Sequence, residues 1–139
     1  MRRTITTLLT VGVLALPVAQ QAGAAVKTTK KVVTKKFAGV AYQADRWGSL
    51  QVTITVRKTT TVTAGRRKVT RKITAVSVPT YPNHTDRSVY ISSQALPILK
   101  SEALQAHMSA NINLVSGATY TSDAFAQSLQ SAILKAKHA

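Results

Sequence analysis

The sequence predicts an α+β domain, an antiparallel sheet of N-terminal strands and a hairpin packed with two C-terminal helices. Three observations predict it. Apolar residues alternate with polar ones in the stretch from Gly48; they recur at helical spacing after Ser92; and a proline-bearing stretch, "PTYPNHTDRS" (79–88), separates the two regions. Strands first and helices after is the α+β order.

Taken in order, residues 1–25 open with a basic "MRR", continue with an apolar run from Ile5 to Val18, and end in the small-residue stretch "QAGAA". That is the layout of a secretory signal peptide cleaved after Ala24 or Ala25. The apolar run is shorter than the roughly 20 residues that a membrane-spanning helix needs. A soluble, exported mature domain is expected, by the general secretory route, since the residues around Arg2-Arg3 do not extend a twin-arginine motif.

Residues 26–36, "VKTTKKVVTKK", mix Lys, Thr and Val without helical period and are expected to form a basic exposed arm ahead of a domain over 37–137. In "GSLQVTITVRK", Leu50, Val52, Ile54 and Val56 alternate with Gln51, Thr53, Thr55 and Arg57, the period of a strand with one buried face. "TTTVTAGRRKVTRKITAVSV" adds a hairpin turning at Gly65. After the 79–88 loop, "SSQALPILKSEALQAH" places Leu96, Leu99, Ala103 and His107 on one helical face, with Ser92 or Ser93 as cap and Pro97 tolerable near the first turn. "SDAFAQSLQSAILKAK" repeats the pattern with Phe125, Leu129, Ile133 and Ala136, and Lys135 and Lys137 suit the negative end of its dipole.

Formal net charge is +15, and the acids are only Asp45, Asp86, Glu102 and Asp123. Beyond Arg3, all basic residues but Arg87, Lys100, Lys135 and Lys137 fall between Lys27 and Lys72, so charge is polarised toward the N-terminal half. There is no cysteine, which excludes disulfides and thiolate chemistry. The imidazoles are His84, His107 and His138, and the acids stand singly, so neither a metal cluster nor a paired-carboxylate site is expected; His107 is expected as a partly buried packing residue. No catalytic residue is assigned. No G-x-G-x-x-G follows a strand, so a dinucleotide site is not expected either.

One stretch carries chemistry. "VSGATYTSDAF" gathers Ser116, Gly117, Ala118, Thr119, Thr121 and Ser122 directly before a helical pattern. A helix N-terminus presents unpaired N–H groups and positive potential, a glycine allows close backbone approach, and hydroxyls add donors, a combination suited to phosphate. The alternative is that Thr121 or Ser122 is an N-cap and the rest a turn.

"NLVSGATYTSDAF" resembles the flavinylation segment of the FMN-binding domain family, found in the covalent-flavin subunits of sodium-translocating NADH:quinone reductase and Rnf-type complexes and in small exported proteins. The family pattern is Asp, two variable residues, Ser or Thr, then Gly-Ala-Thr. Ser116-Gly117-Ala118-Thr119 match it, and Asn113 stands at the leading acid. "FAGVAYQADRWGSLQVTITV" resembles the family's opening glycine, its Trp-Gly pair (Trp47-Gly48) and its first strand, and "DRSVYISSQALPILKSEAL" the segment before its first helix. The stretch from Lys58 to Lys72 is similar to a longer, more basic version of the hairpin of small members.

The resemblance implies FMN as cofactor and an electron-transfer flavoprotein in the cell envelope. It implies Thr119 as the point of a phosphoester placed by a flavin transferase, with Ser116, Gly117, Ala118, Thr121 and Ser122 around the phosphate. Trp47 is a candidate to pack near the isoalloxazine, or else core; Arg87 is a candidate to pair with phosphate, or else solvated. The implied partners are a redox protein of the envelope and the transferase. Two rivals come from the residues. The basic surface suits a binding module for anionic polymers, with association to an anionic envelope surface; nucleic acid is disfavoured because the aromatics that stack bases are sparse. A flavin-less structural member of the family is the other.

Overall fold

The structure, a computed structural model, describes residues 27–139 and the backbone of Val11 and Gly12. The elements are β1 (Val11–Gly12), β2 (Thr28–Ala38), β3 (Tyr42–Gln43), a 3₁₀ turn (Asp45–Trp47), β4 (Ser49–Thr63), β5 (Arg66–Thr80), α1 (Asp86–Gln105) and α2 (Thr119–Lys137). The sheet runs β1-β2-β4-β3, with β5 also paired to β4. β3 pairs antiparallel with β4, Tyr42 opposite Leu50, and β1 antiparallel with β2, Val11 opposite Lys31. The fold is α+β. Apart from Val11 and Gly12, the expected leader lies outside the described residues.

The chain forms two compact units. One comprises Met1–Lys35 with Arg57–Arg71, the other Lys36–Val56 with Lys72–Ala139. The second holds the core. Leu50, Val52, Ile54 and Val56 project inward from alternate positions of β4 and are joined by Ile73 and Val78. From α1 come Ala95, Leu96, Leu99 and Ala103, and from α2 Phe125, Leu129, Ala132 and Ile133. Full burial of each Leu, Ile or Phe contributes about 1.5–3 kcal/mol, so this inner face of strand and helix is what drives the unit to fold.

In the other unit, no described side chain is buried. Its described side chains come from the first part of β2 and the outer part of the β4–β5 hairpin, with Thr28 and Thr63 hydroxyls 3.1 Å apart. The hairpin turns at Ala64 (φ 51) and Gly65 (φ 81), both left-handed as a two-residue turn between twisted strands requires.

Four expectations change. The arm expected at 26–36 is largely strand, because its Val and Thr residues suit a pleated ladder even where most side chains stay exposed. The first helix begins at Asp86, inside the expected loop, and its cap is Thr85, not Ser92 or Ser93. The Thr85 hydroxyl accepts from Ser88 N–H and the Ser88 hydroxyl accepts from Thr85 N–H, each at 3.0 Å, a reciprocal capping box. Pro97 therefore sits in the middle of α1, on the exposed side, where water can satisfy the carbonyl that its missing N–H leaves open. His107 is exposed and lies past the helix end in a left-handed conformation (φ 49), where Met108 (φ 62) follows it, so it is not a packing residue of the helix face.

Candidate functional site

α2 begins at Thr119 because the turn before it is set by a glycine and a buried serine. Gly117 has φ 84, and a Cβ built there would meet nothing within 4 Å, so the backbone lies open to solvent. Ala118 N–H donates to Val115 O at 3.0 Å, and Ser122 N–H donates to Ala118 O at 2.9 Å, the first rung of the helix. The Ser122 hydroxyl accepts from Val115 N–H at 3.0 Å and ties the incoming loop to the first turn.

The N-cap is Ala118, and no side chain caps the helix. Thr121 and Ser122, weighed as caps, lie one turn too late for that role. The first-turn N–H groups are thus left without a side-chain partner, and the positive end of a 19-residue helix stays open to an anion.

Ser116, Gly117 and Thr119 are exposed, so the Thr119 hydroxyl stands at the surface on the first helical residue. Ala118, Thr121 and Ser122 are buried, at 7%, 2% and 0% exposure, and shape the loop from beneath. Trp47 packs against the core and is half-buried, with the guanidinium groups of Arg46 and Arg87 over its ring at 5.3 and 5.9 Å from the centroid. Its turn depends on Gly48 (φ 117), whose carbonyl accepts from Ala44 N–H at 2.7 Å. The predicted residues therefore gather in two groups, 116–122 at the start of α2 and Trp47 with Arg87. No hydrogen bond or ring contact among the described residues joins the two groups.

Three features escaped the sequence reading. Glu102, on α1, reaches the loop: its Oε1 accepts from Asn113 N–H at 3.1 Å and from Asn113 Nδ2 at 3.0 Å. A carboxylate is thereby held against residue 113 although that residue is itself an amide. Leu114 and Tyr120 flank the loop at 52% and 55% exposure, an apolar contact of the kind a planar ring can use. An open cleft of about 460 Å³, within the range of ligand pockets, is lined by Tyr42, Ser109, Ala110, Asn111, Ala126, Gln127 and Gln130. Its α2 residues are about two to three turns along the helix from Thr119. Periodicity finds none of these, because each depends on which loop lies against which helix.

The model of the FMN-binding domain family matches residues 45–134. The chain belongs to the FMN-binding domain family. Among curated proteins no match is found. The match spans the 3₁₀ turn, β4, β5, α1, the 116–122 loop and nearly all of α2, so the FMN-binding domain includes both groups of residues described above. The cofactor is FMN. The residues present fit that group: an uncapped helix N-terminus, an unobstructed glycine and exposed hydroxyls are donors suited to a phosphate dianion.

The Glu102–Asn113 contact makes a prediction. Asn113→Asp removes the Nδ2 donor and sets a carboxylate against a carboxylate, and is expected to cost about 1 kcal/mol at this partly exposed site. Adding Glu102→Gln restores a donor–acceptor pair, so the double variant should recover most of the loss in urea unfolding. Equal, additive losses would show that the contact does not matter to the loop.

Proposed function

We propose that the protein is an exported electron-transfer flavoprotein that carries FMN on Thr119 through a phosphoester. The carrying observation is the placement of Thr119, an exposed hydroxyl on the first residue of an uncapped helix, inside the segment that the family match covers. Attachment forms an Oγ–P bond as a transferase breaks the phosphoanhydride P–O bond of an activated flavin donor such as a flavin dinucleotide, so that the nucleotide phosphate leaves and the hydroxyl proton passes to solvent. The small, exposed Ser116-Gly117 pair leaves room for such an enzyme to reach Thr119.

In this reading each part of the chain has a separate task. The open N–H groups of the first turn hold the phosphate oxygens and place negative charge at the positive end of the helix, an interaction of about 0.3–1 kcal/mol at an exposed site. Ser122 and Val115 keep the loop in the shape that exposes Thr119. Leu114, Tyr120 and the cleft beside Tyr42 offer the surfaces against which the ring system rests. Bound FMN supplies the redox chemistry, and the protein supplies position and surroundings. Export rests on the leader-like 1–25 segment, and an envelope redox partner would complete the electron path.

The test is an absorption spectrum of the protein coexpressed with a flavin transferase, recorded before and after denaturing and desalting. A flavin band that stays with the chain is expected. A band that washes away would leave FMN binding standing and remove the phosphoester.

A further inference from the structure

None of the residues placed at the flavin site above belongs to the unit formed by the start of β2 and the outer β4–β5 hairpin. Its described residues include ten lysines and arginines, four at Lys27, Lys30, Lys31 and Lys35 and six between Arg57 and Arg71, and no aspartate or glutamate. Among its described residues no side chain is buried, so within them no buried apolar cluster offsets the repulsion among these charges. A sheet so composed gains stability from any bound species that supplies negative charge.

We propose that this unit binds a flexible linear phosphate polymer. Three observations select that partner. First, the charges come in consecutive sets, Lys30-Lys31 on β2 and Arg66-Arg67-Lys68 on β5, all exposed. Successive residues of a strand point to opposite faces, so both faces of the sheet are basic. A planar lipid surface engages one face, whereas a flexible chain can follow both. Second, the unit contains no aromatic residue among 27–35 and 57–71, so it has no platform on which bases stack. Third, apart from Ala64 and Gly65 the remaining residues of these two stretches are threonine and valine, including Thr59, Thr60 and Thr61, whose hydroxyls can donate to phosphate oxygens.

The test uses the full chain and fluorescently labelled inorganic polyphosphate, followed by anisotropy at two salt concentrations. With about four charges engaged, affinity should fall roughly 50-fold between about 50 and 200 mM salt. The variant Arg66→Gln/Arg67→Gln/Lys68→Gln alters only exposed residues at the hairpin end. It should weaken binding at least about tenfold at low salt and flatten the salt dependence, with flavin content unchanged. Polyphosphate should also slow amide exchange within 57–71. The proposal is overturned if the triple variant binds as well as the parent. It is overturned equally if vesicles containing phosphatidylglycerol, or a single-stranded oligonucleotide of equal charge, bind more tightly than polyphosphate.

Discussion

Thr119→Val is expected to leave no flavin on the denatured chain when a transferase is present, whereas under the proposed phosphoester the parent should retain its band and Thr119→Ser should retain it in part. Valine keeps the branched shape of threonine but has no oxygen to bond to phosphorus. The residue is exposed on the first turn and caps nothing, so the substitution should change stability by no more than about 0.5 kcal/mol. Loss of pigment then reports the missing hydroxyl and not a failure to fold. Flavin whose phosphate is held only by the helix terminus should survive in Thr119→Val as pigment that desalting removes. Covalent flavin in the valine variant would move the attachment elsewhere, with the exposed Ser116 the next hydroxyl to test.

Among the described glycines, Gly39→Ala is expected to be the most damaging methyl addition. A Cβ at Gly39 would overlap Ser128 O and stand 2.8 Å from the hydroxyls of Ser128 and Ser131. Those contacts belong to a seam where the end of β2 and the start of β4 meet α2. Gly39 N–H donates to Val52 O at 2.8 Å, Val52 N–H donates to the Ser128 hydroxyl at 2.8 Å, and Val40 N–H donates to the Ser131 hydroxyl at 2.7 Å. Lys135 Nζ closes the seam on Ala38 O at 2.6 Å.

The methyl therefore cannot be admitted without parting strand from helix and breaking several of these bonds together. Overpacking in cores costs about 1–3 kcal/mol and more where backbone must move; a loss of at least about 3 kcal/mol is expected in urea unfolding. Gly117→Ala provides the comparison. It meets nothing within 4 Å and pays only for its left-handed backbone, about 1–2 kcal/mol. If Gly39→Ala costs no more than Gly117→Ala, the close approach of strand to helix does not carry the stability ascribed to it.

Both positions bear on what could be read without coordinates. The alternation Leu50, Val52, Ile54, Val56 and the helical spacing of Phe125, Leu129 and Ile133 are local periodicities, and each buries the face it marks. Gly65 was legible as a turn because two strands so close in sequence need left-handed residues between them. The Ser-Gly-Ala-Thr segment was legible as the approach to a helix because helical spacing begins just after it, and as part of an FMN-binding domain through its resemblance to that family. The start of α1 was misjudged because the box between Thr85 and Ser88 lay inside a stretch whose prolines spoke for a loop, and those prolines lie ahead of the cap. The 26–36 segment was misjudged because its pattern shows no buried face. Its strand state comes from pairing with β4.

The sequence by itself determined the α+β order, the two helical core faces, the basic N-terminal half and the loop that precedes α2, since each follows from residue types at neighbouring positions. Only the tertiary structure decided that Thr119 is exposed while Thr121 and Ser122 are buried, that Glu102 holds Asn113 from another helix, that Arg87 rests on Trp47, and that Gly39 is pressed against Ser128. The physical reason is separation along the chain. Spacing rules describe which way side chains of one element point, whereas a hydrogen bond or close contact between elements depends on where the core, once packed, brings their backbones together.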